Sequence, residues 1–99
     1  MEKVCLTAEV EKGKFFVREV KGKLIALVRV GEQFFAFEDQ CTHQHFPLST
    51  GFLEGNVIEC LHHGARFDLT SGKTLCLPAT QPLKQYKVQV LEDFLWLEI

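Results

Sequence analysis

Cys41-Thr42-His43-Gln44-His45-Phe46-Pro47-Leu48-Ser49-Thr50-Gly51 and Cys60-Leu61-His62-His63-Gly64-Ala65-Arg66-Phe67-Asp68-Leu69-Thr70-Ser71-Gly72 are the two stretches that decide how this chain folds. Each opens on a thiol, reaches an imidazole within three residues and closes on glycine. As a spacing they read Cys41-x-His43, sixteen intervening residues, then Cys60-x-x-His63. Each thiol follows a short apolar run, Gln33 to Glu38 before the first and Val57 to Cys60 at the second. The segment Asp39 to Glu54 shows no strand periodicity, and a loop of that length in a small domain is usually functional.

Outward from these loops the chain reads as short strands and frequent turns, and hence as an all-β domain. Phe15 to Glu19 is a strand closed by Lys21-Gly22. Leu24 to Val30 and Gln33 to Glu38 form a hairpin around Gly31-Glu32. Arg66 to Leu69 and Lys73 to Leu77 flank Ser71-Gly72. Tyr86, Val88 and Val90 alternate with Gln85, Lys87 and Gln89, the period of a half-buried strand. Phe94 to Ile99 follows the Glu92-Asp93 turn. Helical signal is confined to Thr7 to Val10, one turn with Thr7 as its N-cap.

Bulk composition limits the function. Ninety-nine residues make a single domain over 1–99, too short for separate cofactor and substrate halves. A hydrophobic content of 46% excludes disorder, and a net charge of −2 gives no electrostatic case for nucleic acid or an anionic membrane. No apolar run is long enough to span a bilayer, and MEKVCLTAEVEKGK lacks the apolar centre of a signal peptide. The expected compartment is the cytoplasm. There, the four Cys that accompany four His are metal ligands or reduced thiols rather than disulfides.

The Cys41-x-His43 and Cys60-x-x-His63 pairs, with CTHQHFPLSTG and CLHHGARFDLTSG around them, resemble the Rieske ferredoxin family. Leu77-Pro78-Ala79 resembles the proline-bearing third loop that covers the cluster in that family. The resemblance runs from about Glu19 to Ile99. It implies a Rieske-like antiparallel β-sandwich or barrel, with a two-loop cluster-binding part at about 39–78. It also implies one 2Fe-2S cluster, with Cys41 and Cys60 on one iron and His43 and His63 on the other. Two ferric ions then balance two sulfides and two thiolates, so the oxidised centre is formally neutral. Rieske potentials accordingly lie at roughly −150 to +300 mV, above the about −400 mV of plant-type ferredoxins. Two Cys and two His are also a zinc set, although Cys-x-His is not the Cys-x₂₋₄-Cys spacing of structural zinc.

Departures from the family pattern carry information. The Rieske proteins of cytochrome bc complexes join one extra Cys per loop in a disulfide. Phe46 and His62 occupy those positions here and cannot. The Ser and Tyr that donate hydrogen bonds to sulfur in those high-potential proteins are replaced by Ala65 and Phe67. Fewer donors stabilise the reduced cluster less, so a potential near the low end, about −150 mV, is expected. His45 and His62 read as loop histidines without assigned chemistry, and Cys5 and Cys76 as buried, inert thiols. Gly51, Gly64 and Gly72 read as turn positions. Asp68 reads either as an anchor of the second loop, by hydrogen bonding or by pairing with Arg66, or as a surface charge. Phe34, Phe35, Phe37, Phe67 and Trp96 read as core or lining residues.

The resemblance implies a one-electron carrier, not an enzyme, passing electrons from a flavin-dependent reductase to a terminal oxygenase by transient contact at the histidine edge. Phe46, Pro47, Leu48 and Pro78 are candidates for an apolar rim there; Glu38, Asp39, Glu54 and Arg66 are candidates for steering. The alternative within the family is the small subunit of an NAD(P)H-dependent nitrite reductase. A structural zinc or redox-sensing module is a reading from another class. An oxygenase site needs two further His and a carboxylate, and only His45 and His62 remain.

Overall fold

A computed structural model describes residues 1–41, 47–61, 64–76 and 81–99, with Cys76 described in its backbone only. Among the described residues ten strands follow in chain order: β1 (Glu2–Leu6), β2 (Phe16–Val20), β3 (Lys23–Val30), β4 (Gln33–Glu38), β5 (Phe52–Glu54), β6 (Val57–Glu59), β7 (Arg66–Asp68), β8 (Thr74–Cys76), β9 (Gln85–Leu91) and β10 (Phe94–Glu98). They form a six-stranded sheet ordered β1-β10-β9-β4-β3-β2 and a four-stranded sheet ordered β5-β6-β7-β8. Every ladder between these strands is antiparallel. The described residues contain no α-helix, so the all-β expectation holds.

The large sheet curls into a near-barrel whose first and last strands are strapped by side chains. Arg18 of β2 donates to the Val4 carbonyl of β1 at 2.7 Å, and Lys21 lies 3.4 Å from Glu2. Tight turns with left-handed residues set the hairpins: Lys21 (φ 50) and Gly22 (φ 78) between β2 and β3, and Glu92 (φ 52) and Asp93 (φ 67) between β9 and β10. Two successive positive φ values match the right-handed twist of the flanking strands.

The strand period of two divides the interior into two cores. Along β3, Ile25 and Leu27 point into the barrel with Val4, Leu95 and Leu97. Ala26 and Val28 point the other way, onto Ile58 and Phe67 of the small sheet. In β4, Ala36 serves the barrel and Phe37 the second core. The middle of β3 is therefore buried on both faces, which is why Ile25 to Val28 reads as a continuous apolar run.

Several details differ from the sequence reading. β1 and β5 were not anticipated. The short turn Thr7–Glu9 is capped from its far side: the Leu6 N–H donates to the Glu9 carboxylate at 2.8 Å, and Thr7 is not the N-cap. Val90 is half exposed because β9 pairs with β4 only at Gln85 and Tyr86 and continues past its cover. Phe37 and Phe67 are fully buried, whereas Phe34 and Phe35 only pack against the two cores.

Candidate metal centre

The first loop leaves β4 under firm restraint. The Glu38 N–H donates to the Lys84 carbonyl at 2.9 Å, and the Asp39 N–H to the Leu24 carbonyl of β3 at 2.8 Å. Cys41 follows two residues later and is fully buried. At the far end, Leu48–Thr50 forms a single 3-10 turn whose Gly51 N–H donates to the Leu48 carbonyl at 2.9 Å. The Asp39 carboxylate joins the two ends, accepting from the Ser49 N–H at 2.8 Å and from the Ser49 hydroxyl at 2.7 Å.

The second loop connects β6 to β7. It begins at Cys60, whose N–H donates to the Ala65 carbonyl at 2.7 Å, while the Gly64 N–H returns to the Cys60 carbonyl at 3.2 Å. Gly64 has φ +70, a conformation in which a side chain is strained. Cys60 is 2% exposed. At the end of β7, Asp68 accepts from the N–H and hydroxyl of Thr70 at 2.9 and 2.7 Å, and these bonds hold its carboxyl below the usual range. Arg66 pairs with Glu59 at 3.5 Å and not with Asp68. The turn after β7 is tied to the barrel, because Leu83 N–H donates to Gly72 and the Gln85 amide donates to the Leu69 carbonyl.

Cys41 and Cys60 therefore arrive from separate sheets and share one core with Phe37, Leu48, Ile58, Ala65, Phe67 and Leu69. Neither is in a disulfide. His43, His45, Phe46, His62, His63, Leu77, Pro78 and Ala79 lie outside the described residues. Two soft thiol ligands, buried in one apolar core and each followed within three residues of sequence by an imidazole, suit an iron–sulfur or zinc centre and disfavour hard-ion sites. Ala65 and Phe67 are both fully buried in the core that holds the cysteines, in line with the reading of Phe67 as a core or lining residue.

Two rim and steering assignments are overturned. Leu48 is fully buried beneath the loop, so it is core and not rim; Asp39 is 7% exposed and engaged by Ser49, so it is not a solvated steering charge. Pro47, Glu54 and Arg66 are exposed, and Leu61, half exposed between Cys60 and His62, is an apolar position that the sequence reading missed. Gly51 has φ −91, so its turn role is not one of positive φ. Cys5 lies in the barrel core, away from this site, where burial chiefly pushes its thiol up to about 11.

The profile of the Rieske 2Fe-2S domain matches residues 1–87. The chain belongs to the Rieske family. One Rieske-type 2Fe-2S cluster is accordingly its cofactor. The Rieske chain is 42% identical over 91% of its length to ferredoxin CarAc of Metapseudomonas resinovorans, covering 85% of that protein. It is 44% identical over 87% of its length to the 3-phenylpropionate/cinnamic acid dioxygenase ferredoxin subunit of Shigella flexneri serotype 5b, covering 81% of it. Among solved structures it resembles a chain from the complex of reduced oxygenase and oxidised ferredoxin in carbazole 1,9a-dioxygenase. That match has a TM-score of 0.88 and 38% identity, over 97% of this chain and 99% of the other. No helix among the described residues of the Rieske chain is long and apolar enough to cross a membrane.

Proposed function

We propose that this chain is the ferredoxin component of a ring-hydroxylating dioxygenase system: a one-electron carrier that takes electrons from a flavin-dependent reductase and delivers them to a terminal oxygenase. The observation that carries it is the convergence of Cys41 and Cys60, each within three residues of a strand's end and each followed in sequence by an imidazole, in one buried core. Cys41 and Cys60 would hold one iron, and His43 and His63 the other. The bound cluster supplies a one-electron couple. The protein contributes buried thiols and loop ends anchored by hydrogen bonds, which limit rearrangement there when charge is added.

Relatives named as a ferredoxin and as dioxygenase ferredoxin subunits support this role over the nitrite reductase alternative. Electron carriage without catalysis fits a single domain over 1–99, and a cytoplasmic setting fits the reduced thiols. Docking is proposed at the histidine edge, and exposed Pro47 and half-exposed Leu61, close to those histidines in sequence, would join it. The interface would be small, as transient redox encounters are.

Anaerobic titration with dithionite, followed by visible absorption and EPR, tests the reading. A red-brown protein with two irons and two sulfides per chain and a rhombic signal on reduction is expected. Cys60→Ser should abolish the cluster. A colourless protein carrying one zinc would overturn the proposal in favour of a structural module. Tight association with a sirohaem subunit, and no oxidation by a dioxygenase, would overturn it in favour of the nitrite reductase subunit.

A further inference from the structure

Among the described residues, Asp39 is the one charged side chain in the buried class. Burying a carboxylate is costly unless its oxygens are bonded. Both are: Oδ1 accepts from the Ser49 N–H at 2.8 Å and Oδ2 from the Ser49 hydroxyl at 2.7 Å. The Asp39 N–H simultaneously donates to the Leu24 carbonyl at 2.8 Å. One residue thus fixes the start of the loop to β3 through its backbone and the far end of the loop to itself through its side chain. Between those ends lies Cys41, two residues on, with its side chain fully buried. The far end is itself rigid, because Ser49 sits in the Leu48–Thr50 turn, where the Thr50 hydroxyl donates to the Pro47 carbonyl at 2.7 Å. Closing a loop by two charge-assisted bonds removes the freedom of its ends before any ligand arrives.

We propose that Asp39 is a positioning residue for the cluster: its clamp on Ser49 presets the loop that carries Cys41, and thereby governs how slowly the cluster is lost and the electronic character of the reduced centre. This rests on the 2Fe-2S reading above. Asp39 acts through the loop and does not itself touch the metal.

The test compares wild type with Ser49→Ala, Ser49→Thr and Asp39→Asn as holoproteins. The readouts are bleaching of the visible band under an anaerobic iron chelator, well below the melting temperature, and the EPR g-values of the reduced protein. Ser49→Ala removes one charge-assisted bond and should accelerate bleaching by about tenfold. Asp39→Asn, which loses the charge and one acceptor, should accelerate it further. Both should move the g-values. Ser49→Thr keeps the hydroxyl and should restore the wild-type rate and spectrum. A purely structural role would lower the melting temperature and leave rate and g-values unchanged, which would overturn the proposal. So would Ser49→Thr behaving like Ser49→Ala. If Asp39→Asn does not fold, the serine pair decides alone. A wild type without a reducible cluster would instead defeat the 2Fe-2S reading itself.

Discussion

Gly51 lies directly against the carbonyl of Glu59, so closely that a Cβ at position 51 would overlap the Glu59 oxygen. Gly51 ends the first loop and Glu59 immediately precedes Cys60 in the second. The contact therefore sets how near the two thiol-bearing loops approach. Backbone cannot yield as a flexible side chain can, so Gly51→Ala must push the loops apart. A destabilisation of about 1–3 kcal/mol is expected from such overpacking. Cluster content per chain should fall as well, because Cys41 and Cys60 would be displaced relative to one another. Thermal unfolding and iron analysis of Gly51→Ala check both parts; wild-type iron content would show that the approach of the loops is not limiting.

Ala65 and Phe67 are fully buried in the same core as Cys41 and Cys60 and present no polar hydrogen from their side chains. A donor aimed at sulfur stabilises the more negative, reduced state. Ala65→Ser and Phe67→Tyr should each raise the midpoint potential, and the double variant should raise it further. The wild type should sit near the low end of the Rieske range, about −150 mV. Protein-film voltammetry of the four proteins measures this, and potentials that stay together would remove side-chain donors as the explanation.

The strands that lead into the two loops were legible because their residues alternate or run apolar without interruption. β4 appears with its exact bounds, Gln33 to Glu38, and β3 within one residue. β1 was hidden for a physical reason. Its ladder with β10 shifts between Lys3 and Cys5, so adjacent Val4 and Cys5 are both buried and the period of two is lost. β5 is three residues long with Leu53 alone turned inward, too little to show a period. In the site, the thiols were legible from spacing, but the Asp39–Ser49 clamp was not. Aspartate beside a loop is equally common as a solvated charge, and only the fold brings position 49 back to it. Gly51 was noticed as a glycine, yet its reason is the Glu59 backbone, a contact between loops that no local pattern encodes.

The Lys3/Cys5 irregularity also has an energetic consequence. Val4 is the extra residue at that bulge, and its carbonyl accepts from the Arg18 guanidinium at 2.7 Å across the gap between β1 and β2. The same side chain approaches Glu9 at 3.9 Å and covers the Phe16 ring at 4.9 Å. The ion pair is long and half exposed, so the carbonyl bond dominates. Arg18→Met retains much of the apolar stem and leaves the Val4 oxygen without this donor. A loss of about 1–2 kcal/mol is expected. Amide exchange should rise selectively in β1, and urea unfolding combined with exchange mass spectrometry would detect both; uniform exchange across the sheet would argue against a strap.

Cys5 makes stability depend on alkaline pH. Burial in the barrel core chiefly raises its thiol from 9.0 to about 11, with Glu9 adding to the rise and Arg18 opposing it. An acid whose folded pKa is raised binds more protons when folded than when unfolded between those two values. Its contribution is therefore fully present below pH 9 and is lost as pH rises towards 11. The shift corresponds to an effect on the order of 2–3 kcal/mol at its fullest. Cys5→Ala lacks the titrating group but leaves a small void, so it should be the less stable protein at pH 8. As pH rises through 9 to 10.5, the wild type should lose stability faster, and the gap between the two should narrow. Urea unfolding of both proteins at pH 8, 9.5 and 10.5 measures that gap directly. A gap constant with pH would mean that the Cys5 thiol is not responsible.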